Sequence, residues 1–78
     1  MYRLEFTIEP FEEGRPGPHV TAPVEALRAR GYDVEFGPFG SACDVPAGGV
    51  SEAVAAVVGA ALEHGATHVN VDVAGVRA

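Results

Sequence analysis

The chain has 78 residues, of which 5 are basic and 11 acidic, and its formal net charge is -6. A chain of this length forms one domain, spanning 1–78, and buries only about 60 to 65% of the surface that its unfolded state exposes. The acidic balance works against binding to phosphate backbones, and no apolar run approaches the roughly 20 residues of a transmembrane helix. We therefore expect no nucleic-acid or membrane partner.

Short chains usually need a disulfide, a metal or self-association for stability. The single Cys43 excludes an internal disulfide, and free cysteines are usually buried structural residues. The opening "MYRLEFTIEP" has no charged segment leading into an apolar run, so we expect no signal peptide. The expectation is a soluble cytoplasmic protein.

The first predicted element is a strand over residues 2–9, where apolar and polar side chains alternate with period 2. Leu4, Phe6 and Ile8 are predicted to face a core. The side chains predicted to face away from it are Arg3, Glu5, Thr7 and Glu9. Residues 10–19, "PFEEGRPGPH", are rich in Pro and Gly and predict a loop.

A first helix follows this loop. Val20, Val24 and Leu27 recur at the i, i+4 and i+7 spacing of an amphipathic helix. Because proline is tolerated in a first turn but not in a helix interior, we place Thr21 at the N-cap and Pro23 in the first turn. Gly31 is the expected residue beyond the C-terminus of this helix.

Residues 32–45 predict two strands joined at Gly37 and Pro38. The second strand covers residues 32–36, with Tyr32, Val34 and Phe36 on one face. The third covers residues 39–45. Its core-side residues are predicted to be Phe39, Ser41, Cys43 and Val45.

The last two predicted elements are a helix and a strand. Ser51 is the expected N-cap, and Gly65 ends the helix. The apolar stripe of this helix is predicted to be Val54, Val57, Val58, Ala61 and Leu62. In the final strand, Val69, Val71 and Val73 alternate with Asn70 and Asp72.

The order β-α-β-β-α-β predicts an α+β ferredoxin-like sandwich, with a four-stranded antiparallel sheet and two helices on one face. In this topology the first and third strands are central. The opposite face of the sheet stays open and is predicted to carry Glu5, Thr7, Glu9, Glu35, Asn70 and Asp72. Such a face is either solvated or packed on another molecule.

The chain offers little for catalysis or metal binding. Ser41, Cys43 and His19 lie in no recognisable catalytic context, so we expect no enzyme; a small hydrolase using His19 or Cys43 is the enzymatic alternative. His64 and His68 are four apart, but Gly65 separates them, and we expect no metal site. No cofactor is predicted.

Several segments together resemble the thiamine-binding, YkoF-like family: "EFTIEPF", "GYDVEFGPFGSACDV" and "ALEHGATHVNVDV". The residues Gly37 to Ser41, "GPFGS", are similar to the Gly-Pro-(aromatic or Met)-Gly-(Thr or Ser) motif of that family. The resemblance covers nearly the whole chain and implies a ferredoxin-like fold, assembly through sheets into dimers or tetramers, and binding of thiamine or its hydroxymethylpyrimidine portion. The chain departs from many relatives in "ACDVPAGG", where they carry a polar residue and an acidic loop.

Thiamine needs an acceptor for its exocyclic amine, donors for its ring nitrogens, and an apolar or aromatic surface for its rings. The predicted ligand-binding residues are Glu5, Thr7, Glu9, Phe11, Gly37, Phe39, Gly40 and Ser41. The ligand lies either on the open sheet face or between sheet and helices. The expected function is non-enzymatic binding of thiamine or its pyrimidine in a homo-oligomer; the alternative is an interaction module whose open sheet binds a protein partner.

Overall fold

The computed structural model describes residues 1–12, 14–37 and 40–76. The elements in chain order are β1 (Tyr2–Glu9), α1 (Pro18–Ala29), β2 (Glu35–Gly37), β3 (Gly40–Val45), a 3-10 turn (Ala47–Gly49), α2 (Val50–Glu63) and β4 (His68–Gly75). All strand pairs are antiparallel, and the sheet order is β2-β3-β1-β4. The predicted ferredoxin-like α+β sandwich, with the first and third strands central, is confirmed.

The alternation in β1 decides which face of the sheet is buried. Leu4, Phe6 and Ile8 are buried in the core together with residues of α1 and α2, such as Leu27 and Val57. The intervening residues of β1 are exposed or half-buried. The helices therefore cover one face of the sheet, as predicted, and the opposite face is open.

Helix α1 begins earlier than predicted. Its N-cap is Gly17 and its first residue is Pro18, so the assignment of Thr21 as N-cap and Pro23 to the first turn was wrong. Proline suits the first helical position because its fixed φ is helical and its missing N–H has no partner there. Pro23 lies inside the helix, where its ring is fully buried.

Helix α2 also begins earlier than predicted. The 3-10 turn leads directly into it, and Gly49 rather than Ser51 is the N-cap. Both helices end at the predicted glycines, Gly31 and Gly65, with φ of 89° and 93°. In each case the chain reverses through a Schellman motif, as in the hydrogen bond from the N–H of Tyr32 to the carbonyl of Leu27 at 3.2 Å.

The second strand is shorter than predicted, because the end of α1 binds the backbone that precedes it. The N–H of Tyr32 donates to the carbonyl of Leu27 in α1, and the Arg28 guanidinium donates to the carbonyl of Val34 at 3.0 Å. These groups are therefore not available for pairing with β3. Only Glu35–Gly37 pair with β3. Pro38 and Phe39, which the sequence places in the turn and third strand, lie outside the described residues.

The buried stripe of α2 is rotated from the predicted one. Ala53, Val57 and Ala61 are buried, whereas Leu62 is 57% exposed, so its assignment to the core was wrong. A stripe of small residues lets α2 approach α1 closely, and that contact rather than the largest side chain sets the buried face. Neither helix of the described ranges has the length and apolar character to cross a membrane.

Candidate functional site

A cavity of about 350 Å³ lies where β1 runs past the hairpin of β2 and β3. Of the eight predicted ligand-binding residues, six line it: Thr7, Glu9, Phe11, Gly37, Gly40 and Ser41. Glu5 lines an adjoining depression on the open face. Phe39 lies outside the described residues. The structure thus brings together residues that the sequence selected from three separate segments.

The cavity exists because β1 pairs with β4 over more residues than it pairs with β3. Its pairing with β4 continues to Glu9 and His68, whereas its described pairing with β3 ends at Phe6 and Ser41. The last residues of β1 therefore form a wall beyond the hairpin. Ile8 contributes from the core side of this wall and Thr7 from the open side. The cavity thus takes residues from both of the locations that the sequence left open.

Gly40 permits the close approach of the hairpin to β1. Its φ is +149°, and a Cβ atom built on it would lie 3.1 Å from the carbonyl oxygen of Phe6 and 3.1 Å from a methyl carbon of Thr7. A side chain at this position would push the two strands apart. The glycine of the family-like motif therefore has a definable steric role at the cavity wall.

Two aromatic side chains line the cavity while staying accessible to solvent. Phe11, in the loop after β1, is 46% exposed, and Phe36, in β2, is 40% exposed. The sequence predicted Phe11 as a site residue but placed Phe36 on the core face of a longer strand. Phe36 lies in the short edge strand β2, and this position leaves its ring partly uncovered.

Ser41 is the buried polar residue of the site. It is 7% exposed and lines the cavity. Among the described residues, no buried side-chain oxygen or nitrogen lacks a hydrogen-bond partner, so the hydroxyl of Ser41 is not an unsatisfied buried group. Its position at the cavity wall allows this hydroxyl to donate to, or accept from, a molecule in the cavity.

Glu9 places a carboxylate at the cavity. The backbone carbonyl of Glu9 accepts from the N–H of Thr67 at 2.8 Å and from its hydroxyl at 3.1 Å, which holds the end of β1 to β4. The side-chain carboxylate lies 3.8 Å from Nδ1 of His68. Sequence reasoning missed His68 as a neighbour of the site, although its register opposite Glu9 follows from the antiparallel pairing.

The open-face depression has a volume of about 550 Å³ and adjoins the cavity. It is lined on the β4 side by Asn70 and Asp72, which lie opposite Thr7 and Glu5. Asn70 also lines the cavity. The sequence placed Asn70 on the open face but not in the site, because nothing in the alternation shows where along the sheet a cavity lies.

Arg3 forms ion pairs with three carboxylates at the other end of the open face. Its guanidinium lies 3.4 Å from Asp44, 3.5 Å from Glu35 and 3.6 Å from Glu5. Burial lowers the pKa of Arg3, but the hydrogen bond to Asp44 and the charges of the three carboxylates outweigh it and raise the pKa. These ion pairs leave Asp72 outside the cluster of described residues around Arg3.

The candidates for catalysis do not join the site. Cys43 is 2% exposed on the core side, as predicted, and burial together with the charge of Asp44 raises the pKa of its thiol, while Arg3 lowers it. His19 donates a ring N–H to the carbonyl of Pro10 in the loop. Among the described residues, no group of three His, Cys, Asp or Glu side chains has an arrangement that could hold a metal ion.

Comparison with known proteins bears on the fold alone. No family profile and no curated protein matches the chain. Among solved structures, the chain is similar to a domain of unknown function, DUF77, from Bacillus cereus, with a TM-score of 0.66. The two share 16% identity over 92% of this chain and 70% of that one. At this identity, the likeness supports a small ferredoxin-like fold.

Proposed function

We propose that this protein binds thiamine or its hydroxymethylpyrimidine portion, without catalysing a reaction, as a homo-oligomer of the thiamine-binding, YkoF-like family. The observation that carries the proposal is the cavity of about 350 Å³, which is rimmed by the exposed rings of Phe11 and Phe36 and lined by Ser41. This residue ends the "GPFGS" segment on which the family resemblance depends. The resemblance supplies the ligand, and the cavity supports a ligand of that kind.

The size of the cavity suits a single aromatic ring better than a large cofactor. Small-molecule sites usually have volumes of roughly 300 to 1,000 Å³, and about 350 Å³ lies near the lower end of that range. The lining combines apolar side chains with a few polar groups, as such sites do. The pyrimidine is therefore the portion of thiamine that we assign to the cavity.

Each polar or aromatic group has a role in this proposal. The carboxylate of Glu9 accepts a hydrogen bond from the exocyclic amine, and the hydroxyl of Ser41 donates to a ring nitrogen. The exposed faces of Phe11 and Phe36 stack on the ring. In the described lining, neither histidine nor cysteine stands beside Ser41 to activate its hydroxyl, which supports binding rather than acyl transfer.

The free edge of the sheet supports self-association. β4 is an edge strand of eight residues, His68–Gly75, without proline or lysine. Natural edge strands usually carry such residues, because an uninterrupted edge pairs readily with another chain. Pairing through β4 would extend the sheet and add buried surface to a domain whose own core is small.

Isothermal titration of thiamine and of hydroxymethylpyrimidine into the purified protein tests the proposal. We expect saturable binding of both, weakened by at least about 1 kcal/mol, or fivefold, in Glu9→Gln and in Ser41→Ala. Glu25→Gln, on the exposed face of α1, is the control and should bind as the wild type does. Absence of binding by either compound to the folded protein would refute the proposal.

A further inference from the structure

The loop between β1 and α1 is closed by a hydrogen bond between its two ends. His19, in the first turn of α1, donates a ring N–H from Nε2 to the carbonyl of Pro10, nine residues earlier in the chain. Surface loops of this length whose ends lie together are compact and often carry functional residues. We call this hydrogen bond the loop tie.

Each end of the loop tie lies next to a residue that lines the cavity. Phe11 follows Pro10 and Val20 follows His19, and both of these apolar side chains belong to the cavity wall. Pro10 and His19 themselves are outside the described lining. The tie therefore joins two parts of the wall that come from different elements, the loop and the helix.

Gly17 leaves room for the imidazole to fold back toward the loop. A Cβ atom built on Gly17 would lie 2.8 Å from Cε1 and 2.9 Å from Nδ1 of His19, closer than real Cβ atoms approach other groups. The backbone does not require glycine here, because a φ of -76° and a ψ of 174° are open to any residue. The ring of His19 is what excludes a side chain at position 17.

The chain is anchored at two successive carbonyls where it leaves β1. The carbonyl of Glu9 accepts from the N–H and the hydroxyl of Thr67, and the carbonyl of Pro10 accepts from His19. Phe11 comes directly after these anchors, and its ring is 46% exposed. Because packing covers only about half of this ring, its orientation depends on the anchored backbone.

We propose that His19 is a positioning residue: by closing the loop, it holds the ring of Phe11 at the cavity in the orientation that stacks on a ligand. This inference rests on the proposed function and deepens it, because it assigns a role in binding to a residue outside the cavity lining. Without the tie, the loop has more conformations, and a ligand must order Phe11 at a cost in conformational entropy. The effect of His19 on affinity therefore requires the Phe11 ring.

The test is a double-mutant cycle, in which thiamine and hydroxymethylpyrimidine are titrated into each protein. His19→Ala is made in the wild type and in Phe11→Ala, and His19→Gln retains an N–H donor on a side chain of similar reach. Gly17→Ala displaces the imidazole without removing it. His64→Ala is the matched control, because it removes a similar contact, from Nδ1 to the carbonyl of Ala60 at 2.9 Å, at the end of α2. Circular dichroism and urea unfolding confirm that each variant is folded.

We expect His19→Ala and Gly17→Ala each to weaken both compounds by about two- to fivefold, the range for ordering one side chain. In the Phe11→Ala protein, the same change at His19 should leave the affinity nearly unchanged, because no ring remains to be positioned. His19→Gln should restore most of the wild-type affinity, and His64→Ala should bind as the wild type does.

The outcomes separate this inference from the proposed function. If both compounds bind but His19→Ala weakens them equally with and without the Phe11 ring, or does not weaken them, the positioning role is wrong and the proposed function stands. If neither compound binds to the folded wild type, both are wrong.

Discussion

Glu9 and His68 face each other across the β1–β4 ladder, with a carboxylate oxygen of Glu9 3.8 Å from Nδ1 of His68. Glu9 lines the cavity, and His68 lies at the start of the neighbouring strand. A charge introduced at position 68 would therefore lie next to the carboxylate that Glu9 presents at the cavity.

This pair predicts that a positive charge at position 68 weakens ligand binding. His68→Arg places a permanent charge opposite Glu9, where it competes with the exocyclic amine of the ligand for the carboxylate. We expect His68→Arg to bind thiamine about two- to threefold more weakly than the wild type. Titration of thiamine into both proteins measures this difference, and His64→Arg, beyond the end of α2, is the control. Equal affinity of His68→Arg and the wild type would contradict the prediction.

The two exposed phenylalanines should contribute to binding more than to stability. Phe11→Ala and Phe36→Ala remove rings that are only about half buried, and we expect each to weaken binding by about 1 kcal/mol while changing stability little. Phe6→Ala, in the core, should cost about 3 to 5 kcal/mol of unfolding free energy. Urea unfolding and titration on the same samples separate the two effects. A large stability loss in Phe36→Ala would place its ring in the core instead.

Substitution of Gly40 should disturb the hairpin. Gly40→Ala places a Cβ atom 3.1 Å from the carbonyl oxygen of Phe6, at a φ that side chains rarely adopt, and we expect a loss of about 1 to 3 kcal/mol in urea unfolding. Gly48→Ala is the matched control, because a Cβ atom there meets nothing within 4 Å. Equal stability of the two variants would show that the hairpin tolerates the side chain.

Burial of Cys43 predicts a loss of stability at alkaline pH. Because the pKa of its thiol is raised in the folded state, the unfolded chain loses this proton first as the pH rises above the ordinary value of 9.0. The stabilisation is complete below that value and declines as the pH rises toward the folded pKa. We expect Cys43→Val to have a flatter dependence of unfolding free energy on pH than the wild type between neutral and alkaline pH. Parallel curves would contradict this account.

The fold was largely predictable, because its signals are local. Alternation in β1, the helical spacing of Val20, Val24 and Leu27, and the glycines that end both helices each depend on residues near one another in the chain. The helix starts were not predictable, because a proline or a 3-10 turn nucleates a helix as well as a capping hydroxyl does. The length of β2 depended on a side-chain contact that no strand pattern shows, the hydrogen bond from Arg28 to the carbonyl of Val34 six residues later.

The lining of the cavity was predictable in composition, but the shape of the cavity was not. The sequence by itself selected the six described residues that line it, through the alternation in β1 and the resemblance of "GPFGS" to a family motif; whether they bind a ligand stays a prediction. Only the tertiary structure showed that β1 extends beyond the last of its described pairs with β3. This extension creates the cavity, beside which Phe36 is exposed. The same register set Glu5 opposite Asp72 and Glu9 opposite His68. Such pairings join residues about 60 positions apart, and the relative slide of two strands is fixed by packing of the whole sheet, not by the pattern within either strand.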